Sequence, residues 1–432
     1  MEIKRKEIAV IGLWHLGWTV GASLAEQGYK VTGFDYDKQL VADLKIGKLP
    51  LFEPGLTELT VKNLETGRLD FSNDFKELKN ANYIVLTYDT PVDEKDRVNL
   101  DIIFKAVDTI KKHVRSGSTL IIMSQVPVGT SRKIYSILGK KVEVIYNPEN
   151  IRLGDAIKTF IEADRMVIGV STKRGVARMR NFYKFFKNDL QFMSLESAEM
   201  VKHSINAFLA CSISFINQIT AIAEAVGANM NDVSAGLRSD LRIGQKARVS
   251  PGLGFAGGTL GRDVQVLLQK ASEYKIDLSL VAHIYKVNQS QYARVVEKIK
   301  RIIGSLAGKK IAILGLVYKP GTSSLRRSFS LEVAKILKNG KAKVSAFDPA
   351  LHKPSKETAG LELAKDAYEA VSNADLVVIL TEWEEFKNLN FGRLKKLMKK
   401  PVFYDAKNIL NMKKMIKLGF NYYGTGISRE NL

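Results

Sequence analysis

The stretch IAVIGLWHLGWTVGASLAEQGYKVTGFD, residues 8–35, decides the fold. Ile8 to Gly12 reads as a buried strand, GLWHLG as a turn, TVGASLAEQG as a helix closing at Gly28, and YKVTGFD as a second strand. Strand, glycine turn, helix, strand is a mononucleotide-binding unit, in which the helix N-terminus offers free N–H groups and a positive dipole end to a pyrophosphate. Gly12 makes the tight turn and Gly17 lets helix and strand approach closely. The middle position of the usual G-x-G-x-x-G pattern is Trp14, so the indole has to point away from a bound cofactor or displace it. Asp35 follows Gly12 by 23 residues. Its carboxylate is placed to accept bonds from adenosine ribose hydroxyls and repels a 2′-phosphate, which favours NAD over NADP.

Outward from this unit, further parallel-sheet strands are expected at YIVLTYD (83–89), STLIIMS (118–124), VEVIYNP (142–148) and RMVIGVS (165–171), whose near-continuous apolar character suits a sheet covered on both faces. From Glu196 the period becomes helical through ESAEMVKHSINAFLACSISFINQITAIAEAVG, ending at Gly227. A glycine-rich loop, SPGLGFAGGTLGRD (250–263), and more helices follow. A second α/β block then runs through KKIAILGL, KVSAFDP, ADLVVILT and PVFYDAKN. The expected fold class is α/β, with two Rossmann-like doubly wound domains joined by a long central helix and helical segment. The division is 1–195, 196–305 and 306–432.

Composition limits the function classes. The 432 residues exceed a single typical domain, and no run approaches the roughly 18 consecutive apolar residues of a membrane span. One cysteine excludes an intramolecular disulfide, and the start, MEIKRKEIAVIG, enters a strand without an apolar signal region, so a cytoplasmic protein is expected. The net charge of +21 raises a nucleic-acid partner. Basic residues are nevertheless spread along the chain and interleaved with acids, so a solvated surface that attracts dianionic ligands is the plainer reading. The five histidines show no metal-ligand spacing, and no metal is expected.

Several separated segments resemble the UDP-glucose/GDP-mannose dehydrogenase family: GKLPLFEPGLTEL (47–59), YDTPV (88–92), SQVPVGTS (124–131), YNPENIRLGDA (146–156), ADRMVIG (163–169), VKHSINAFLACSISFINQI (201–219), RIGQKARVSPGLGFAGGTLGRD (242–263), LGLVYKPGTSSLRRS (314–328), FDP, LTEWEEF and YDAKN. The resemblance spans essentially the whole chain and implies NAD-linked oxidation of a nucleotide-sugar hydroxyl, with UDP-sugars leading. It carries the family's lysine and asparagine onto Lys202 and Asn206, which lie four residues apart on one helix face and suit stabilisation of an alkoxide. It places the proton-accepting aspartate at Asp263 and an active-site glutamate at Glu149. Gly12, Trp14, Leu16, Gly17, Asp35 and Thr90 become cofactor contacts; Arg242 (from a neighbouring subunit), Phe255, Gly257, Lys319 and Arg326 become nucleotide-sugar contacts. A homodimer or higher oligomer through the long helix is implied.

The departures matter equally. Where the family has its nucleophilic cysteine in G-F-G-G-x-C-x-P-K-D, this chain has Thr259, whose hydroxyl is a poor nucleophile. Cys211 lies about 900° around a helix from Lys202, on the opposite side, and is expected to be a small packing residue. Met123 and Gln125 replace a lysine and a threonine, Leu153 a second glutamate, and Ser324 the acid before Arg326. Two outcomes stay open, one hydride transfer or two. A catalytically silent nucleotide-sugar-binding protein and a nucleic-acid binder are the rival readings.

Overall fold

The computed structural model describes residues 7–50, 53–93, 97–149, 151–152, 154–351 and 353–427. Its chain divides into two compact units, Met1–Ser204 and Ile205–Leu432.

In the first unit, β1 (Glu7–Ile11), β2 (Lys30–Phe34), β3 (Leu69–Ser72), β4 (Tyr83–Leu86), β5 (Thr119–Ile122), β6 (Glu143–Tyr146), β7 (Arg165–Gly169) and β8 (Asp189–Met193) form one sheet in the order β3-β2-β1-β4-β5-β6-β7-β8. Alternation along β1 sends Ile8 and Val10 into one core and Ala9 and Ile11 into another, on opposite faces of the sheet. That two-sided burial explains the continuous apolar strands.

One expected strand runs the other way. β7, the RMVIG segment, meets β6 antiparallel through a single pair, Tyr146 with Gly169, and only β8 is parallel to it. Glu53 holds the backbone N–H groups of Gly154 and Ala156, and the Asn147 amide donates to the Val167 carbonyl. The connection therefore stays at the carboxyl edge of the sheet, and β7 runs back toward β6. A parallel strand would have needed a crossover to the opposite edge.

The long helix, Leu195–Val226, begins in the first unit and continues into the second. Helices Met230–Ser239, Leu260–Glu273 and Ser279–Ile303 follow, then a second sheet of β9 (Lys310–Leu314), β10 (Lys343–Phe347), β11 (Glu362–Leu363), β12 (Leu376–Ile379), β13 (Val402–Asp405) and β14 (Asn421–Gly424). Its strands are parallel throughout, in the order β11-β10-β9-β12-β13-β14. That is the order of the first six strands of the first sheet, repeated.

Gly12 has φ +99°, and a Cβ on Gly17 would lie 1.7 Å from the Gly12 carbonyl oxygen and 2.5 Å from Thr87 Oγ1. Gly17→Ala should therefore unfold at a markedly lower temperature than Gly28→Ala. At Gly28 nothing lies within 4 Å of an added Cβ, so only the left-handed backbone cost of about 1–2 kcal/mol applies. Thermal unfolding of the two variants checks the ranking.

Candidate active site

In the first unit the glycine loop is held from three sides. The Gly12 N–H donates to the Phe34 carbonyl at 2.9 Å. The Leu13 N–H donates to Asp35 Oδ2 at 2.7 Å, and the Thr87 hydroxyl bonds the Ile11 and Gly12 carbonyls. Trp14 has φ −74° and ψ −169°, an extended conformation open to any L-residue, and its indole is 48% exposed. The missing middle glycine therefore costs the turn nothing. No side chain caps the helix that starts at His15, so its first N–H groups keep their capacity for an anion. Leu16 is half-buried within that first turn. Asp35 is buried, with Oδ1 accepting from the Asp37 N–H. Thr90 donates to the Gln125 carbonyl at 2.8 Å, fastening the turn after β4 to the loop after β5.

The start of the long helix ties the loops at the carboxyl ends of β5 and β6. Glu199, fully buried, accepts the Gly129 and Ser131 N–H groups at 2.6 and 2.8 Å, and burial pushes its carboxyl above the ordinary range. The His203 ring meets the Val126 carbonyl, and Lys202 Nζ donates to the Glu149 carbonyl at 2.5 Å. The lysine and the glutamate expected at the reacting centre are thus adjacent. Leu153, expected to mark a lost acid, lies outside the described residues.

The second unit assembles another set. Asn206 donates its side-chain amide to Asp263, which is fully buried in the first turn of helix Leu260–Glu273, with Arg262 Nε at 3.9 Å. Thr259 stands immediately before this helix and makes no side-chain cap bond. The loop leading to it is shaped by Asn288, whose amide bonds both the N–H and the carbonyl of Phe255, and by Asn217, which donates to the Leu253 carbonyl. A Cβ on Gly257 would meet the Tyr318 ring at 3.0 Å, and one on Gly258 the Arg326 guanidinium at 2.9 Å. The cationic segment after β9 therefore lies directly on the glycine-rich loop. Lys319 Nζ sits 5.8 Å from the Tyr318 ring centre. Arg242 is almost wholly exposed and paired with Asp240. Cys211 is half-buried at the edge of a small apolar cluster with Phe255 and Val264.

Sequence reasoning passed over Glu53, Glu199, Asn217, Asn288 and Tyr318. For Glu53 a signal existed: a lone acid inside the apolar LPLFEPGL. Nothing in the sequence marked the two asparagines, because their partners are backbone groups remote in the chain.

An uncapped glycine turn in the first unit, and in the second a buried amide–carboxylate pair with a cationic segment on the glycine-rich loop, fit an NAD-dependent oxidoreductase that acts on a nucleotide sugar, the class to which the similar proteins belong. Residues 6–187 match the NAD binding domain of the UDP-glucose/GDP-mannose dehydrogenase family, 196–290 its central domain and 312–412 its UDP binding domain. A UDP-glucose 6-dehydrogenase of Bacillus subtilis is 34% identical over 430 residues, covering 98% of this chain and 93% of that protein. One from Rickettsia prowazekii is 36% identical, covering 97% and 99%. Among solved structures, a UDP-glucose dehydrogenase from the hyperthermophilic archaeon Pyrobaculum islandicum superposes with a TM-score of 0.88 at 26% identity, covering 99% of each chain. The chain belongs to the UDP-glucose/GDP-mannose dehydrogenase family.

Burial works against charge on Glu53, but the Gly154 and Ala156 N–H groups and His15 outweigh it and hold the carboxyl below its ordinary 4.5. A carboxylate with a depressed folded-state value contributes stability that is complete above the unfolded value and is lost as pH falls through the folded one. Glu53→Gln should therefore show a smaller loss of melting temperature than the unaltered protein between about pH 6 and about pH 3. Parallel melting curves across that range test this.

Proposed function

We propose that this protein oxidises a hydroxyl of a UDP-sugar, UDP-glucose first among candidates, and that the reaction stops after one hydride transfer. The observation that carries the reading is the buried Asn206–Asp263 pair standing one helical turn from Thr259. NAD, when bound, accepts the hydride from the carbinol carbon. The residues that suit it are Gly12, Trp14, Leu16, Gly17, Asp35 and Thr90. They supply the uncapped helix start for the pyrophosphate and, through Asp35, a carboxylate at the ribose end. Asp263 takes the hydroxyl proton through a water, while the Lys202 ammonium and the Asn206 amide steady the oxygen as charge develops. Glu149 is fixed beside Lys202 through its carbonyl. Lys319 and Arg326 suit the diphosphate, with Phe255 and Gly257 on the adjoining glycine-rich loop, and Arg242, exposed though paired with Asp240, suits a contact from a neighbouring subunit.

The Thr259 hydroxyl lacks the acidity of the thiol that would let it hold the aldehyde covalently. The carbonyl product therefore leaves. Purified protein with NAD and a panel of UDP- and GDP-sugars should yield one NADH per sugar consumed, and Thr259→Cys should raise that ratio. A ratio of two in the unaltered protein overturns the single-transfer reading. Tight binding of both ligands with no NADH from any sugar favours a silent binding protein, the reading that the Thr259 replacement also suits.

The long helix supports a homodimer. Phe208, Phe215 and Ile222 recur every seven residues and are 72%, 50% and 60% exposed, giving an apolar stripe on the side turned away from the packed face of Ala207, Ala210, Ile216 and Ala223. By length and mean hydropathy this helix is also apolar enough to cross a membrane, although serine, asparagine, glutamine and threonine interrupt its apolar residues. Its buried face, and the asparagine and threonine side chains bonded along it, favour packing against a second copy over lipid. The three-part division at 1–195, 196–305 and 306–432 places this stripe in the middle segment. A cytoplasmic setting without nucleic acid fits the single cysteine and the dispersed charge. Phe215→Glu should shift the mass in solution from dimer to monomer by light scattering; a wild-type monomer, or a variant that stays dimeric, removes the helix from the interface.

A further inference from the structure

His15, the first residue of the glycine-loop helix, turns its ring to a buried acid. Its Nε2 lies 2.8 Å from Glu53 Oε2, and Glu53 is only 1% exposed. The same oxygen accepts the Gly154 N–H at 3.0 Å, and Oε1 accepts the Ala156 N–H at 2.9 Å. One carboxylate thus gathers donors from two segments distant in sequence. One is the turn that receives the cofactor pyrophosphate in the reading above; the other is the loop after β6. Upstream in that loop, Glu149 has its carboxylate bonded by the Ile151 N–H and its carbonyl bonded by Lys202 Nζ. Contacts thus tie the cofactor turn to one part of this loop and the lysine that steadies the reacting oxygen to another, all within the first unit.

We propose that the His15–Glu53 pair is a coupling element, through which occupancy of the cofactor turn sets the position of the loop that presents Glu149 and engages Lys202. The physical ground is the cost of parting a buried carboxylate from any of its donors. Inside the protein such a bond is not replaced by water, so a displacement of the helix start carries Glu53, and with it Gly154 and Ala156, rather than breaking the contact. His15 touches neither reacting group directly in this scheme; it is a positioning residue. Linkage then requires the nucleotide sugar to raise affinity for the cofactor by the same factor that the cofactor raises affinity for the sugar.

The inference rests on the dehydrogenase reading, and the test separates the two. NADH and UDP-glucose form a pair that cannot react, so the dissociation constant of NADH is measured by its fluorescence with and without saturating UDP-glucose. The unaltered protein should bind NADH more than about fivefold tighter with the sugar present. His15→Phe puts a somewhat larger ring in place and removes the donor; its melting temperature should fall because the buried Glu53 loses a partner, and its coupling factor should fall toward one, whereas Gly28→Ala, destabilised away from the pair, should keep its coupling. His15→Gln, whose amide nitrogen donates with similar reach, should recover most of the coupling. A purely structural role predicts instead that coupling follows melting temperature across the variants. Unchanged coupling in His15→Phe overturns the proposal, as does a wild-type protein that binds both ligands independently. Failure to bind NADH at all overturns the dehydrogenase reading and the coupling with it.

Discussion

A buried aspartate at the end of the second strand of each sheet, bonded to the backbone of the glycine turn beside it, is the contact on which both halves of the chain are built. In the first sheet Asp35 takes the Leu13 N–H; in the second, Asp348 takes the Leu316 and Val317 N–H groups on one oxygen. The turns match in detail. Gly12 and Gly315 have φ +99° and +93°, and their N–H groups donate to Phe34 and Phe347. A threonine just after the fourth strand stands behind each, Thr87 and Thr381, bonded to turn carbonyls. A left-handed glycine and a buried anion that accepts the N–H groups it exposes give one solution to turning a chain sharply out of a parallel sheet.

The two turns diverge in length, and their divergence separates their chemistry. After β1 the helix begins at His15, within four residues of the strand end, so the turn can offer only backbone N–H groups and a helix dipole. After β9 the next helix begins at Phe329, and the intervening segment carries Lys319 and Arg326, the latter seated on Gly258. The first arrangement suits a pyrophosphate approached closely by backbone; the second suits a diphosphate held by side chains that reach outward.

Buried acids organise the rest. Glu53 and Glu199 each collect backbone N–H groups from loops at the carboxyl edge of the first sheet. Glu224, near the far end of the long helix, accepts from Lys298 and from the Gly426 N–H, so burial is outweighed and its carboxyl stays below the ordinary range. These loops contain little apolar surface of their own, and convergent bonds to a desolvated carboxylate are what fix them. Glu149 sits on such a loop and Lys202 on the helix that grips it, so this part of the proposed site is held by polar contacts rather than by the cores.

Local chemistry was legible. Ile8–Gly12 declared a strand and turn through burial and glycine, the run to Val226 declared a helix through its period, and the whole-chain succession of motifs declared the family. The poor nucleophilicity of the Thr259 hydroxyl was legible for the same reason, since a side chain's reactivity belongs to the residue itself. What the sequence could not declare was anything settled between distant segments. The reversal of β7 depends on where Glu53 pins the preceding loop, and the extended backbone that lets Trp14 stand in the turn without strain is seen only in the folded chain. His15 finds its partner 38 residues away. Periodicity and composition report a residue's own preferences, whereas these features are set by the environment that folding brings to each residue, and that environment exists only in the tertiary structure.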